Sequence, residues 1–232
     1  AMTPYWTSPD GRHVIYCGDC LEILPTLPKV DALVTDPPYG IAYEASRYAN
    51  TSFAGVLEND AAEFNPGVLI ALDIPAVIWG GNNFAHLLPP GGWLCWDKRT
   101  NEEADKIFGS PFELAWCSIR TRFKIIRCLH GGAVNADGPF PRVHPTQKPL
   151  RVMEWSVKQL GDAALILDPY MGSGTTGVAC IRLGRKFIGI EISREYCDIA
   201  VRRLERELSQ PMLFEPEPPK AVQGTMFEGG EP

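Results

Sequence analysis

Ala164-Leu165-Ile166-Leu167-Asp168-Pro169-Tyr170-Met171-Gly172-Ser173-Gly174-Thr175-Thr176-Gly177 runs from an apolar strand into a glycine loop and on into a helical pattern. Gly172 and Gly174 let the backbone approach a ligand closely, and a helix beginning near Thr175 aims its free N–H groups at one. A glycine loop alone says little. Here, nineteen residues after Gly172, the strand Lys186-Phe187-Ile188-Gly189-Ile190 ends in Glu191, where a dinucleotide-type site puts the carboxylate that holds a ribose. The unit therefore predicts a parallel α/β sheet with a nucleoside ligand. Arg182, Arg185 and Lys186 form no readable 2′-phosphate clamp and no Walker Gly-Lys-Ser/Thr is present, so S-adenosylmethionine fits better than NADP or ATP.

Working outward, a helix from Arg194 to about Leu208 follows the Glu191 strand, and the ordered pattern then stops. The next strand of the cofactor half is missing there, and the N-terminus can supply it. His13-Val14-Ile15-Tyr16-Cys17 reads as a strand ending at Gly18-Asp19-Cys20. Asp19 could accept from an adenine amine, or cap the helix that starts at Leu21, or do both. The order of units is thus circularly permuted. A coarse pass places strands near 13–17, 31–35, 76–79, 92–96, 112–117, 123–128, 164–168 and 186–190, and helices near 61–73, 150–160, 175–183 and 194–208. Alternating strands and helices predict a mostly parallel twisted sheet with helices on both faces.

Asp36-Pro37-Pro38-Tyr39 follows the apolar run Ala32-Leu33-Val34-Thr35 and makes a strand end in an acceptor beside an aromatic ring. Two prolines give a stiff turn whose carbonyls are free to accept, because proline fixes φ and donates no N–H. An exocyclic base amine is a poor nucleophile, since its lone pair is delocalised into the ring. The Asp36 carboxylate and Pro37 carbonyl can hold its hydrogens while the nitrogen pyramidalises, and Tyr39 can stack on a base taken out of the helix. A four-residue match is equally compatible with an ordinary strand exit; the glycine loop downstream gives it weight.

Taken together, the motifs resemble the DNA amino-methyltransferases, which methylate N6 of adenine or N4 of cytosine, in the order of their β class. The resemblance covers roughly residues 12–205. It implies a Rossmann-like S-adenosylmethionine-dependent methyltransferase fold over residues 3–208, with a small target-recognition insert at about 117–143. It implies catalytic roles for Asp36, Pro37, Pro38 and Tyr39. Cofactor contacts are implied for Asp19, Cys20, Asp36, Asp168, Tyr170, Gly172, Ser173, Gly174, Thr175, Glu191 and Ile192, and for His144, Thr146 and Lys148 of His144-Pro145-Thr146-Gln147-Lys148-Pro149. Tyr170 stands where the family more often has Phe. The segments Val77-Ile78-Trp79-Gly80-Gly81-Asn82-Asn83-Phe84 and Gly92-Trp93-Leu94-Cys95-Trp96-Asp97-Lys98 look most like small phage-type or orphan adenine enzymes. The Asp of the motif also points to adenine N6, since cytosine-N4 enzymes more often carry Ser there. The alternatives are an N4-cytosine enzyme, an RNA or protein-amide methyltransferase with a similar turn, and a non-catalytic DNA binder. A C5-cytosine enzyme needs a cysteine nucleophile, commonly after proline, and the chain has no Pro-Cys pair.

Composition agrees with one soluble, cytoplasmic α/β domain: 232 residues bury about 70% or more of their unfolded surface, and no membrane span or signal segment is readable. Seven scattered cysteines fit a reducing compartment. Cys17 and Cys20 lack a second pair at zinc spacing, so no metal is expected. The net charge of −6 argues against a polyanion partner, yet Arg120, Arg122, Lys124, Arg127, Arg142, Lys148 and Arg151 face only Asp137 between Cys117 and Arg151. That segment could track the phosphates of double-stranded DNA, with Asn135, Asp137 and Phe140 reaching base edges, or be a solvated hairpin. Core packing is the expected role of most tryptophans, with Trp116 the one that could line a base pocket. Residues 43–60 are expected to form a loop over substrate. Residues 209–232 are expected to be a disordered tail. Within it Gln210-Pro211-Met212-Leu213-Phe214 resembles the peptide by which bacterial replication proteins dock on the sliding clamp, or else folds back on the domain.

Overall fold

The computed structural model describes residues 2–38, 64–99, 110–119, 123–129 and 147–210. In chain order the elements are β1 (Trp6–Thr7), β2 (His13–Cys17), α1 (Cys20–Ile23), β3 (Ala32–Thr35), α2 (Gly67–Ile70), β4 (Ala76–Trp79), β5 (Gly92–Asp97), β6 (Phe112–Cys117), β7 (Lys124–Arg127), α3 (Leu150–Lys158), β8 (Leu165–Asp168), α4 (Thr175–Arg182), β9 (Lys186–Glu191) and α5 (Arg194–Leu208). Single 3-10 segments follow α1 and β4, at Leu24–Thr26 and Gly81–Leu87.

The strands form one sheet in the order β1-β2-β9-β8-β3-β4-β6-β5-β7. Among the described residues only β1 and β6 run against the rest, so the expectation of a mostly parallel sheet holds. The permutation is visible in the pairing: β2, from the N-terminus, lies parallel to β9 with His13 opposite Phe187 and Cys17 opposite Glu191.

Central parallel strands are covered on both faces, which requires apolar side chains at every position. Ala32, Leu33 and Val34 of β3 and all of β4 are accordingly buried. Alternation then splits them. Ala32, Val34, Trp79 and Ile166 pack with Val152, Val178 and Leu204 from α3, α4 and α5. Leu33, Ile78 and Leu167 pack with Cys20, Ile23 and Leu69 from α1 and α2 on the other face. Both faces thus carry helices, as the alternation predicted.

The helix expected over 61–73 is only Gly67–Ile70 among the described residues. Pro66 explains its start: it disfavours helical backbone at Asn65, whose side chain instead accepts from the Gly67 N–H at 2.8 Å. The missed strand β1 is two residues long and carries no period. It is held from outside, by Tyr5 Oη donating to Asp198 at 2.5 Å and Trp6 Nε1 donating to Glu205 at 3.1 Å, both on α5.

Gly174 opens α4 with φ of +79°, and a Cβ there would stand 2.9 Å from Cβ of Ala200. Gly161 also has positive φ, +61°, but faces open space. Replacing Gly161 by Ala should cost only backbone strain, about 1–2 kcal/mol. Gly174→Ala should cost about 2–4 kcal/mol, because the α4–α5 contact must also open. Urea unfolding with an unchanged m-value checks this; equal costs would show that close packing at Gly174 is not what selects glycine there.

Candidate active site

From β8 the chain moves outward to β9, whereas from β3 it moves the other way to β4. Such a reversal leaves a crevice at the carboxyl ends of the strands, where α/β sheets bind ligands. Asp36 and Pro37 leave β3 there, Asp168 ends β8 and Glu191 ends β9. The Asp36-Pro37 turn and the glycine loop, over 130 residues apart in sequence, are thus brought side by side by the β3–β8 pairing of Leu33 with Leu167.

Asp168 is 2% exposed, and its two oxygens accept from three donors: Thr35 Oγ1 at 2.7 Å, Thr176 Oγ1 at 2.5 Å and the Tyr170 N–H at 3.1 Å. Burial pushes its carboxyl up to about 7 against the pull of these bonds, and the neighbouring Asp36 charge adds to the rise. The sequence reading placed Asp168 against the cofactor. The structure instead has its carboxyl tying the end of β3 to the loop and to α4.

Glu191 ends β9 beside the glycine loop. Its carboxylate accepts from the Gly172 N–H at 3.0 Å and the Ser193 N–H at 2.8 Å, so the loop and the strand end share one acceptor. Gly172 adopts φ of +51°, which turns the loop back toward that carboxylate. Ile192 beside it is exposed, an apolar surface at the mouth of the crevice. Asp19 caps α1 by accepting from the Leu21 N–H at 2.8 Å and stays exposed, while Cys20 is buried against Tyr170. Tyr170 packs edge-on against Phe64, and burial pushes its hydroxyl far up. Ser173 and Thr175 are braced by Arg203, whose Nη1 donates to the Ser173 carbonyl at 2.7 Å, the Ser173 hydroxyl at 2.8 Å and Thr175 Oγ1 at 3.1 Å. Sequence reading missed Arg203; its position three residues after buried Ala200 on α5 was the available signal.

Lys148, for which a cofactor contact was implied, lies on Asp36. Its Nζ is 2.6 Å from Asp36 Oδ2 and 2.9 Å from Glu113 Oε2, with the side chain 5% exposed. Lys98 Nζ reaches the other Glu113 oxygen at 2.5 Å. An acid on the otherwise apolar strand Phe112–Cys117 was the trace of this arrangement in the sequence.

Trp116 does not reach the crevice. It is 3% exposed inside the core and donates to the Pro89 carbonyl at 3.1 Å, toward the opposite edge of the sheet. Trp96 is likewise core, donating to the Cys128 carbonyl at 2.8 Å. Of the expected DNA contacts, Arg127 ends β7 at the crevice edge, with its side chain 71% exposed and 3.5 Å from Asp97. Lys124 starts the same strand and donates to Gln159 at 2.7 Å, away from that edge. Tyr39, His144, Thr146, Arg120, Arg122, Arg142, the loop at 43–60, the base-edge candidates Asn135, Asp137 and Phe140, and the tail from 211 lie outside the described residues. All seven cysteines are free thiols, and no helix of the described residues is long and apolar enough to cross a membrane.

With this geometry in place, the comparisons agree on one family. Residues 93–202 match the family model described as DNA methylase. The Type II methyltransferase M.HinfI of Haemophilus influenzae is 26% identical over 278 aligned positions, covering 94% of this chain and 77% of that protein. These similarities support a DNA amino-methyltransferase of the β class. The crystal structure of an M1.HpyAVI–SAM complex superposes with a TM-score of 0.51 at 25% identity, covering 83% of this chain and 98% of that one. The PvuII DNA methyltransferase, cytosine-N4-specific, shares the fold with a TM-score of 0.58 at 17% identity, covering 90% of this chain and 93% of that one.

Asp168 supplies a test of the site's electrostatics. Its folded value of about 7 lies above the ordinary 3.8, so its stabilising contribution is whole below about pH 4 and is lost as pH rises through about 7. Asp168→Asn keeps the shape and removes the titration. Urea unfolding across this range should show the wild type losing stability relative to the variant as pH rises; a constant difference would mean that Asp168 stays ionised.

Proposed function

We propose that the protein transfers the methyl group of S-adenosylmethionine to the N6 amine of adenine in double-stranded DNA, at a base turned out of the helix. The observation that carries this reading is the juxtaposition of Asp36 and Pro37 with the Glu191-anchored glycine loop at one crevice. Glu191 would hold the ribose hydroxyls, the Gly172–Thr175 backbone the main body of the cofactor, and Ile192 the adenine face. The cofactor supplies an electrophilic methyl on a sulfonium. The chain's part is positioning and charge. The Asp36 carboxylate and the Pro37 carbonyl hold the two amine hydrogens, which directs the nitrogen lone pair, and Tyr39 stacks on the base. After transfer the surplus proton leaves through the Asp36 side. Pro37 is buried and its φ is fixed, so its carbonyl keeps one direction throughout.

Adenine is preferred over cytosine because the motif begins with Asp and because the segments around Trp79 and Trp93 resemble adenine enzymes. Digesting DNA treated with enzyme and S-adenosylmethionine to nucleosides, and analysing them by mass spectrometry, should yield N6-methyladenine; N4-methylcytosine alone would reverse the base. Asp36→Ala should abolish transfer while leaving cofactor affinity within a few-fold. Glu191→Ala should weaken the cofactor by about 1–3 kcal/mol through unpaired hydroxyls, and unchanged affinity by calorimetry would remove Glu191 from the site.

Such an enzyme works where DNA is, in the cytoplasm. The clamp contact through Gln210-Pro211-Met212-Leu213-Phe214 is a separate proposal that rests on the peptide's sequence, which begins where α5 ends. For DNA itself, the exposed position of Arg127 at the crevice edge supports a phosphate contact there, and the Lys124–Gln159 hydrogen bond at the other end of the strand speaks against one for Lys124. Arg127→Gln should weaken binding and flatten the log-affinity against log-salt slope by about 0.9, whereas Lys124→Gln should leave the slope as it is. A wild-type slope in the Arg127 variant would show that this strand end faces elsewhere.

A further inference from the structure

Glu113 lies on β6, the antiparallel strand between β4 and β5, and touches two ammonium groups, Lys98 at 2.5 Å and Lys148 at 2.9 Å. Lys148, 5% exposed, also holds Asp36 Oδ2 at 2.6 Å, and its ammonium stands 5.7 Å from the Trp79 ring centroid. Read along this line the charges are Asp36 negative, Lys148 positive, Glu113 negative and Lys98 positive, and they cancel. Burial would raise the Glu113 carboxyl, but Lys148 and Lys98 outweigh it and hold it down at about 2, so the negative charge is present at any working pH. The nearby Asp97 is balanced separately, by Arg99 at 2.9 Å and Arg127 at 3.5 Å.

The reaction imposes a demand on this line. The donor's methyl must be delivered to the amine that Asp36 holds, so its sulfonium charge has to be accepted near Asp36. Two ammonium groups, Lys148 and Lys98, set against Asp36 alone would leave the line net positive and repel it, and charges taken out of water are costly unless paired. We infer that Glu113 is a positioning residue that supplies the negative charge which Asp36, Lys148 and Lys98 together lack, so that Lys148 can orient Asp36 without a net positive charge opposing a cationic methyl donor. The inference rests on the functional reading above. It accounts for an acid on a core-facing strand that touches neither the amine nor the glycine loop.

S-adenosylmethionine and S-adenosylhomocysteine differ by one methyl group and one positive charge, so their affinity ratio reports the charge balance and is insensitive to general damage. Calorimetric titration of the full chain is expected to show Glu113→Gln losing affinity for S-adenosylmethionine by roughly three- to tenfold while S-adenosylhomocysteine changes less than about twofold. Lys98→Met should shift the ratio the other way, and the double variant Glu113→Gln, Lys98→Met, neutral again along the line, should return it toward wild type. Equal losses for both ligands, or a ratio that the second substitution fails to restore, would overturn the charge-balancing role. A wild-type protein that binds neither ligand would instead overturn the functional reading, and this inference with it.

Discussion

The parallel pairing of β3 with β8 is the constraint on which the rest depends. It places two strand ends with opposite onward connections side by side, which opens the crevice. The hydrogen bond from Thr35 to Asp168 locks it at the point where both strands finish. Without that pairing Asp36 is a turn residue and Gly172 a loop residue with no common ligand. With it, the proposed acceptor for an amine and the proposed cradle for a nucleoside share one wall. The permuted chain order has little consequence in space, because β2, from the N-terminal part of the chain, lies parallel beside β9.

Around this wall the acidic groups divide their work by environment. Asp168, buried among two hydroxyls and an N–H, is pushed up toward neutrality and serves as structure. Glu113, partly exposed and held between two ammonium groups, is driven down. Glu191 sits at the rim on two backbone donors with Ile192 exposed beside it. Three carboxyls within one sheet edge thus differ in what they can do because their partners differ: hydroxyls, lysines or backbone amides.

Much of the fold was legible because its signals are local. The strands at 13–17, 76–79, 112–117 and 165–168 and the helix over 194–208 follow from apolar runs and periodicity, and the permutation followed from counting which strand the cofactor half lacked. What escaped depends on tertiary packing. Nothing in the sequence says that Lys148 faces Asp36, since that contact spans 112 positions and needs the β4–β6–β5 arrangement to bring Glu113 alongside. Arg203 was harder to read for the same reason: its spacing from Ala200 marks a helix face, and a helix-surface arginine becomes a loop brace only when α5 packs on α4. Trp116 misled because a tryptophan on a strand of the sheet need not share the edge at which Asp36 stands; the antiparallel course of β6 carries it to the other one.

The location of the site at the β3–β8 crevice is tested most directly by hydrogen exchange read by mass spectrometry, with and without S-adenosylmethionine. Ligand should slow exchange in peptides spanning Asp168–Thr176, Glu191–Ser193 and Val34–Asp36, and leave the opposite edge of the sheet, Ile70–Ala76 and Trp116–Ile119, unchanged. Protection confined to that opposite edge, or absent from the glycine loop in the presence of bound ligand, would contradict the account.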